Sequence, residues 1–402
     1  MTVETIPLKA ARKIILSAQQ LIGNDLKGTV KNKALTVIQH LGYIQIDTIS
    51  VVERAHHHTF WTRLHGYRPK ILQTLEERDK AIFEYWSHAA SYLPMTDYRF
   101  TLPFKQSILN ADGYWFKKDA DRMNHVYNRI KTEGPLMSKD FEKPENFTSS
   151  DLYDWAPYKR ALHNLFMEGR IMVARRNGFQ KVYDLTERVL PHDVDATLPD
   201  RKEYLTYLIK RDIRAHGLVR STEVGYLLKG IRNEVKAILR ELEQGGDIKL
   251  IKIKNASEDL YYIDQKLWDN WENKKWKKRI KILCPFDNAI INRKRTKEVF
   301  HFDYTLECYV PQKKRKFGYF SLPILWGETF VGQLDAKTDR KHNQLLIKNL
   351  EFNNHLKDID EIIAPFGIAL KEYAIFNQCE EIVFEDKPAK KYPQLSIESN
   401  SY

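Results

Sequence analysis

Residues 202–263 read KEYLTYLIKRDIRAHGLVRSTEVGYLLKGIRNEVKAILRELEQGGDIKLIKIKNASEDLYYI. The spacing predicts a helix from Lys202 to His216, a break at Gly217 and a second helix from Ile231 to Gln244. In that second helix Val235, Ile238, Leu239 and Leu242 recur three and four apart, as one buried helical face requires. Asp247–Lys252 then reads as a strand, Asn255–Asp259 as a polar turn and Leu260–Ile263 as the returning strand. Helix, turn, helix and twisted hairpin make a winged helix, a variant of the helix-turn-helix.

The same order occurs just upstream. A helix over Asp121–Thr132 leads to GPLMSKDF (134–141), then a helix from about Ala156 to Glu168 and a strand opening at Gly169. Gly178 turns that strand back into KVYDL (181–185). Ser138 and Ser221 stand where helix N-caps would fall, three residues before Phe141 and Val224. The N-terminal stretch fits too. Leu8–Ile22 is amphipathic, Thr29 can cap a second helix, Gly42 can end it, and Tyr43–Asp47 reads as a strand. A longer helical region is expected from Val51 to about Leu109. From Lys281 on, short strands at 306–310, 318–322, 330–334 and 344–348 alternate with Pro, Gly and charged turns, and a helix near Ile359–Phe376 closes them. The fold class expected is α+β: three tandem winged-helix units followed by a small C-terminal antiparallel β-domain, a partial barrel. The segments are 1–120, 121–195, 196–272 and 273–386, with 387–402 as a disordered tail.

The 402 residues hold 65 Lys+Arg against 53 Asp+Glu, a net charge of +12 that favours polyanionic partners. Hydrophobic residues are 43% of the chain, enough for packed cores and too many for a disordered chain. No window of about 18 residues is apolar and uncharged, and no basic amphipathic helix with a bulky apolar face stands out, so no membrane association is expected. The first residues carry Glu4 and lack a signal-peptide pattern. Cys284, Cys308 and Cys379 are too far apart for a CxxC pair, which suits a reducing cytoplasm and inert thiols. Nucleic acid is the partner the charge favours. The candidate DNA contacts are Arg54 with His56 and His57, the pair Arg175 and Arg176, and Arg293 with Arg295.

The stretch GYIQIDTI (42–49) carries the candidate chemistry. In a strand Gln45 and Asp47 would share a face about 6–7 Å apart, with Ile44 and Ile46 turned into the core. A carboxylate on a DNA-facing surface is repelled by phosphate, so a simple binder gains nothing from it. The pattern alone fits an ordinary edge strand with two exposed polar residues more readily. His56-His57-His58 invites a metal, but consecutive residues on a helix fan out and share no face. Glu84, Trp86 and His88 read as a packed aromatic segment. No metal or other cofactor is expected.

The segment GYIQIDTISVVERAHH (42–57) resembles the winged-helix DNA glycosylases of the AlkZ/YcaQ type. So do FEYWSHAASYLP (83–94), Pro285-Phe-Asp287, Asp303-Tyr304, GYFSLPILWG (318–327) and VGQLD (331–335). The resemblance spans nearly the whole chain apart from the tail, and that family's three winged helices plus C-terminal β-domain agree with the repeats. It implies that Gln45 and Asp47 are the catalytic pair. The Gln-apolar-Asp version belongs to the broad-substrate, crosslink-unhooking branch; the other branch carries Gln at the second place and is tied to biosynthetic self-resistance. The activity implied is a monofunctional DNA glycosylase of base-excision repair. Its substrate is double-stranded DNA carrying alkylated, N7-alkylguanine-type, or crosslinked bases, and it acts as a cytoplasmic monomer. The rival is a non-catalytic winged-helix DNA-binding protein or transcriptional regulator, which would normally need a dimerisation element or an effector pocket.

Duplex binding driven by a basic surface should weaken steeply with salt. Each neutralised phosphate contributes about −0.9 to the slope of log K against log salt. Fluorescence anisotropy across a salt series is the measurement, and an affinity indifferent to salt would remove the nucleic-acid reading.

Overall fold

The computed structural model describes residues 3–23, 26–141, 156–256, 259–273, 276–353 and 359–395. From sequence, boundaries are expected at 120, 195 and 272. The chain divides instead into one compact unit drawn from Met1–Arg68 and Leu208–Tyr402 and another from Pro69–Tyr207. The cause is the apolar N-terminal segment. Ile6, Ala11, Ile14 and Ile15 are buried in one cluster with Ile251, Ile253, Tyr261, Phe300 and Phe330. Helix Arg201–His216 runs across the division.

In the first unit, strand Glu4–Ile6 pairs in parallel with Ile248–Ile253, which forms an antiparallel hairpin with Leu260–Asp264. Helix Leu8–Ala18 packs its Ala and Ile face inward. Helix Val30–Leu41 starts where the Thr29 hydroxyl accepts the Asn32 N–H, and it stops at Gly42, whose φ of +78° is the left-handed C-terminal conformation. A Cβ there would also lie 2.6 Å from the Arg211 side chain. Helix Arg232–Gln244 buries Val235, Ile238 and Leu239, as the spacing predicts.

The C-terminal sheet runs Ile280–Ile282, Ser321–Trp326, Thr329–Asp339 and Gln344–Phe352 in antiparallel order. Its last strand, Glu381–Phe384, pairs in parallel with Gln344–Ile347 after the helix Asp360–Phe376, so the sheet is mixed rather than purely antiparallel. Residues 306–310 are not a strand. The Glu307 carboxylate accepts the N–H groups of Lys316, Phe317 and Gly318 at 2.8–3.0 Å and folds 307–318 into a loop. The segment from 387, expected as a disordered tail, is ordered as far as Leu395. Asp386–Lys391 is helical, and Tyr392 and Leu395 are buried in the same core as the sheet. Residues 396–402 lie outside the described residues.

The second unit holds helices Ala120–Glu133 and Pro157–Met167 and the hairpin Ile171–Asn177 with Gln180–Leu185, edged by Leu136–Met137. Ser138 opens a 3-10 turn, Ser138–Asp140, rather than capping an α-helix, and the Asp140 carboxylate takes the Met137 N–H. In the first unit the corresponding task at Ser221 falls to Glu223, which accepts the Arg220 N–H. A hairpin, Ile82–Trp86 with Ala90–Pro94, replaces part of the helical region expected over 51–109. Lys80 at φ +47° breaks the preceding helix, and Ile82, Phe83, Tyr85 and Trp86 are the β-branched and aromatic types that favour a pleated surface.

Arg63 and Asp287 hold the first unit together. The guanidinium meets the carboxylate in two bonds of 2.7 and 2.8 Å, both side chains are wholly buried, and Arg63 also donates to the carbonyls of Gln19 and Thr59. Arg63→Ala would leave Asp287 buried and uncompensated, a loss of about 3–5 kcal/mol. Urea unfolding of the variant should show that loss as a lowered midpoint.

Candidate active site

Gln45 closes the short strand Ile44–Gln45 that follows Gly42, and its side chain is buried. Strand pairing ends there, so the alternation of faces does not extend to Asp47. Ile46 is buried and Asp47 is half-buried at the start of a loop that runs to helix Ala55–Trp61. The Asp47 carboxylate accepts the N–H of Ile49 at 2.7 Å, which fixes the carboxylate against its own turn. Burial lifts the Asp47 carboxyl above the usual carboxylate range, opposed by the Ile49 N–H and by the charge of Arg54.

This loop is tied down at several points. Arg54 donates to the Thr48 carbonyl at 3.0 Å. The carbonyls of Ser50 and Val51 accept from the Arg340 guanidinium at 2.9 Å and the Thr338 N–H at 2.7 Å. The Glu53 N–H donates to Asn377 at 2.6 Å, and Val52 and Ala55 belong to the core of the C-terminal sheet. The β-domain is thus a buttress for the segment that carries Asp47. On the other side, Asn288 donates to the Tyr43 carbonyl at 3.1 Å, immediately after the Pro285-Phe-Asp287 motif. Asp47 also acts electrostatically on Cys284 and Cys308: burial is the main cause of their raised thiol values, and the Asp47 charge adds to it.

The remaining candidates divide by environment. His56 is buried with its ring 4.3 Å from that of His57, and His57 shares a 2.8 Å hydrogen bond with the Tyr67 hydroxyl. His58 bonds to the Ile282 carbonyl, and burial holds its imidazole down to about 4, so it is neutral at pH 7. No group of three His, Cys, Asp or Glu among the described residues could hold a metal ion. Arg175 is exposed on strand Ile171–Asn177. Arg176 is not a surface cation: it grips the buried Glu84 with both ends of its fork, and Lys181 joins them at 3.3 Å. Arg295 is not a surface cation either. It is 3% exposed and paired with Glu223 at 2.8 Å, where burial opposes ionisation but Arg295 and Arg220 outweigh it and hold the carboxyl at about 2. Arg293 is part-buried, donates to the carbonyls of Pro285 and Ile290, and lies over the Tyr304 ring. Asn288, Thr338, Arg340 and Asn377 were not legible as site residues. Their contacts are backbone bonds across long sequence separations, and the neighbouring Pro285-Phe-Asp287 motif was the one available signal.

The family model for DNA glycosylase AlkZ-like proteins matches residues 38–364. The chain belongs to the AlkZ-like DNA glycosylase family. Among solved structures, the DNA glycosylase AlkZ of Streptomyces sahachiroi is similar, with a TM-score of 0.61 and 11% identity. The match covers 95% of this chain and 99% of that one, and at that identity it shows the fold. No helix among the described residues is long and apolar enough to cross a membrane.

A carboxyl whose value is raised by folding contributes stability only while protonated, and that contribution is lost as pH rises through the folded value. Ionised Asp47 therefore costs the fold stability at neutral pH. Asp47→Asn should melt at the same temperature as the parent or higher, measured by calorimetry at pH 7.

Proposed function

We propose that the protein hydrolyses the N-glycosidic bond of N-alkylated purine nucleotides in duplex DNA, including those in interstrand crosslinks, with Asp47 and Gln45 as the catalytic pair. The observation that carries this is the half-buried Asp47 carboxylate, two residues after the buried Gln45, on a loop pinned by Thr338, Arg340 and Asn377. An exposed, freely moving carboxylate could not concentrate charge at one atom. A fixed one can stabilise positive charge developing at a sugar carbon without reorganising.

The chemistry needs little more. A guanine alkylated at N7 is cationic and leaves neutral, so no strong acid is required. The demands are an anion near the oxocarbenium-like sugar and a positioned water, as in other glycoside hydrolysis. Asp47 supplies the anion and accepts the water's proton; Gln45 orients the water. The motif contains no lysine, so the reaction proposed is monofunctional, without strand cleavage. A crosslinked base remains tied to the opposite strand and cannot swing out in the usual way. An open, basic surface suits it, and Lys313, Lys314 and Lys316 are exposed on the loop that Glu307 folds.

The helix pairs that end in the hairpins 171–185 and 248–264 support a reading as winged helices, with the N-terminal pair as the third. A monomer acting on DNA in the cytoplasm completes the proposal.

Asp47→Asn should slow base release from N7-methylguanine duplex by about 3–4 kcal/mol of barrier, or roughly 10²–10³-fold, with DNA affinity equal or better. Gln45→Ala should slow release less, because a misplaced water still reaches the carbon at lower probability. Parent activity should fall with acidification through a midpoint above about 3.9, the ordinary aspartate value, because burial raises this carboxyl. Chromatography of released base reads all three. Folded variants that release base at the parent rate would end the assignment.

A further inference from the structure

The turn after Glu223 carries an apolar tip that the chemistry at Asp47 does not use. The Leu228 N–H donates to the Gly225 carbonyl at 2.8 Å, with Tyr226 and Leu227 at the centre of the turn. Leu227 lies at φ +68° and is 68% exposed. The other non-glycine residues at positive φ among those described are Gln20, Lys80, Asn255, His301, Asn343 and Gln378, all polar. A leucine there has no polar side chain to bond its own backbone, and in water it gains nothing from burial.

The base of the turn is rigid. The Gly225 N–H donates to the buried Asp212 at 2.8 Å, and a Cβ on Gly225 would lie 2.9 Å from Ile231. Glu223, two residues earlier, is clamped by Arg220 and Arg295. The strain at Leu227 therefore persists because its support over-determines it, a pattern found where a conformation is used. Two cations follow the tip: Lys229 and Arg232 are exposed just after the turn and at the start of the next helix. Tyr226 is also within electrostatic reach of Arg293 and of Tyr43, which lies two residues before Gln45.

We propose that Leu227 is a wedge that inserts between stacked bases of duplex DNA beside the lesion, while Lys229 and Arg232 meet the flanking phosphates. Apolar side chains inserted between base steps unstack them and kink the duplex. A wedge opens the step around a sugar without requiring the damaged base to leave the helix. This suits a base still tied to the other strand. Leu227 is a positioning residue, and its role rests on the glycosylase reading above.

The test places 2-aminopurine next to an uncleavable abasic-site analogue in duplex DNA. Binding of the parent should raise its fluorescence as the base unstacks. Leu227→Gly removes both the side chain and the strain, so it should melt no lower than the parent yet lose most of that rise; Leu227→Met should keep it. Leu227→Gly should also release N7-methylguanine about tenfold more slowly from duplex and at the parent rate from a single strand. An equal fluorescence rise in parent and Leu227→Gly overturns the wedge, as does equal slowing on single and double strands. If the parent releases no base at all, the glycosylase reading fails, and the fluorescence comparison still decides the wedge.

Discussion

The buried pair of Arg63 and Asp287 is the constraint on which the first unit depends. A guanidinium with no exposure must have its charge and its donors answered inside the fold. Asp287 answers the charge; the carbonyls of Gln19 and Thr59 answer two more donors. Gln19 in turn donates to the Ala215 carbonyl at 2.6 Å, so helix Leu8–Ala18, helix Arg201–His216 and the Cys284–Ile291 segment converge on one cation. Asn288, beside Asp287, then reaches the Tyr43 carbonyl, and the strand that leads to Gln45 and Asp47 is set by the same turn. Apolar packing alone would not fix that register, because it lacks direction.

The chain before Asp47 and the chain after it are supported differently. Behind it, the Pro285-Phe-Asp287 turn acts through the Tyr43 backbone. Beyond it, Thr338, Arg340 and Asn377 hold the carbonyls and N–H groups of residues 50–53. The C-terminal domain thus holds the backbone of the segment that follows Asp47. Its motif segments meet through hydrogen bonds: Ser321 is the ladder partner of Asp335, and the Asp335 carboxylate accepts the Tyr319 N–H at 3.2 Å.

Much of this was legible from residue order. Helical periodicity located Val30–Leu41 and Arg232–Gln244, and Gly42 marked the stop; Gln45 and Asp47 are named by the family resemblance, since pattern alone fits an ordinary edge strand. Other features were hidden because charge sign says nothing of exposure. Arg176 and Arg295 read as surface cations, yet their partners Glu84 and Glu223 are 92 and 72 residues away and draw them inward. Glu307 read as part of a strand because its three backbone bonds lie nine to eleven residues on. The hairpin Ile82–Pro94 does not stand out from a helix in sequence, because aromatic and apolar residues crowd both periods there. Tyr392 and Leu395 lay in a stretch whose prolines and polar residues masked two anchors.

The bond from the Glu53 backbone to Asn377 spans 324 residues. A ribosome adding about 5–20 residues per second needs roughly 15–65 s to cover that interval. During synthesis the Gln45–Asp47 segment emerges early, while its supports at Thr338 and Asn377 follow only after the whole intervening unit. A nascent chain of this order carries the Asp47 carboxylate for roughly 15–65 s without those supports. A chain cut before residue 338 would lack the bonds that Thr338, Arg340 and Asn377 make to residues 50–53.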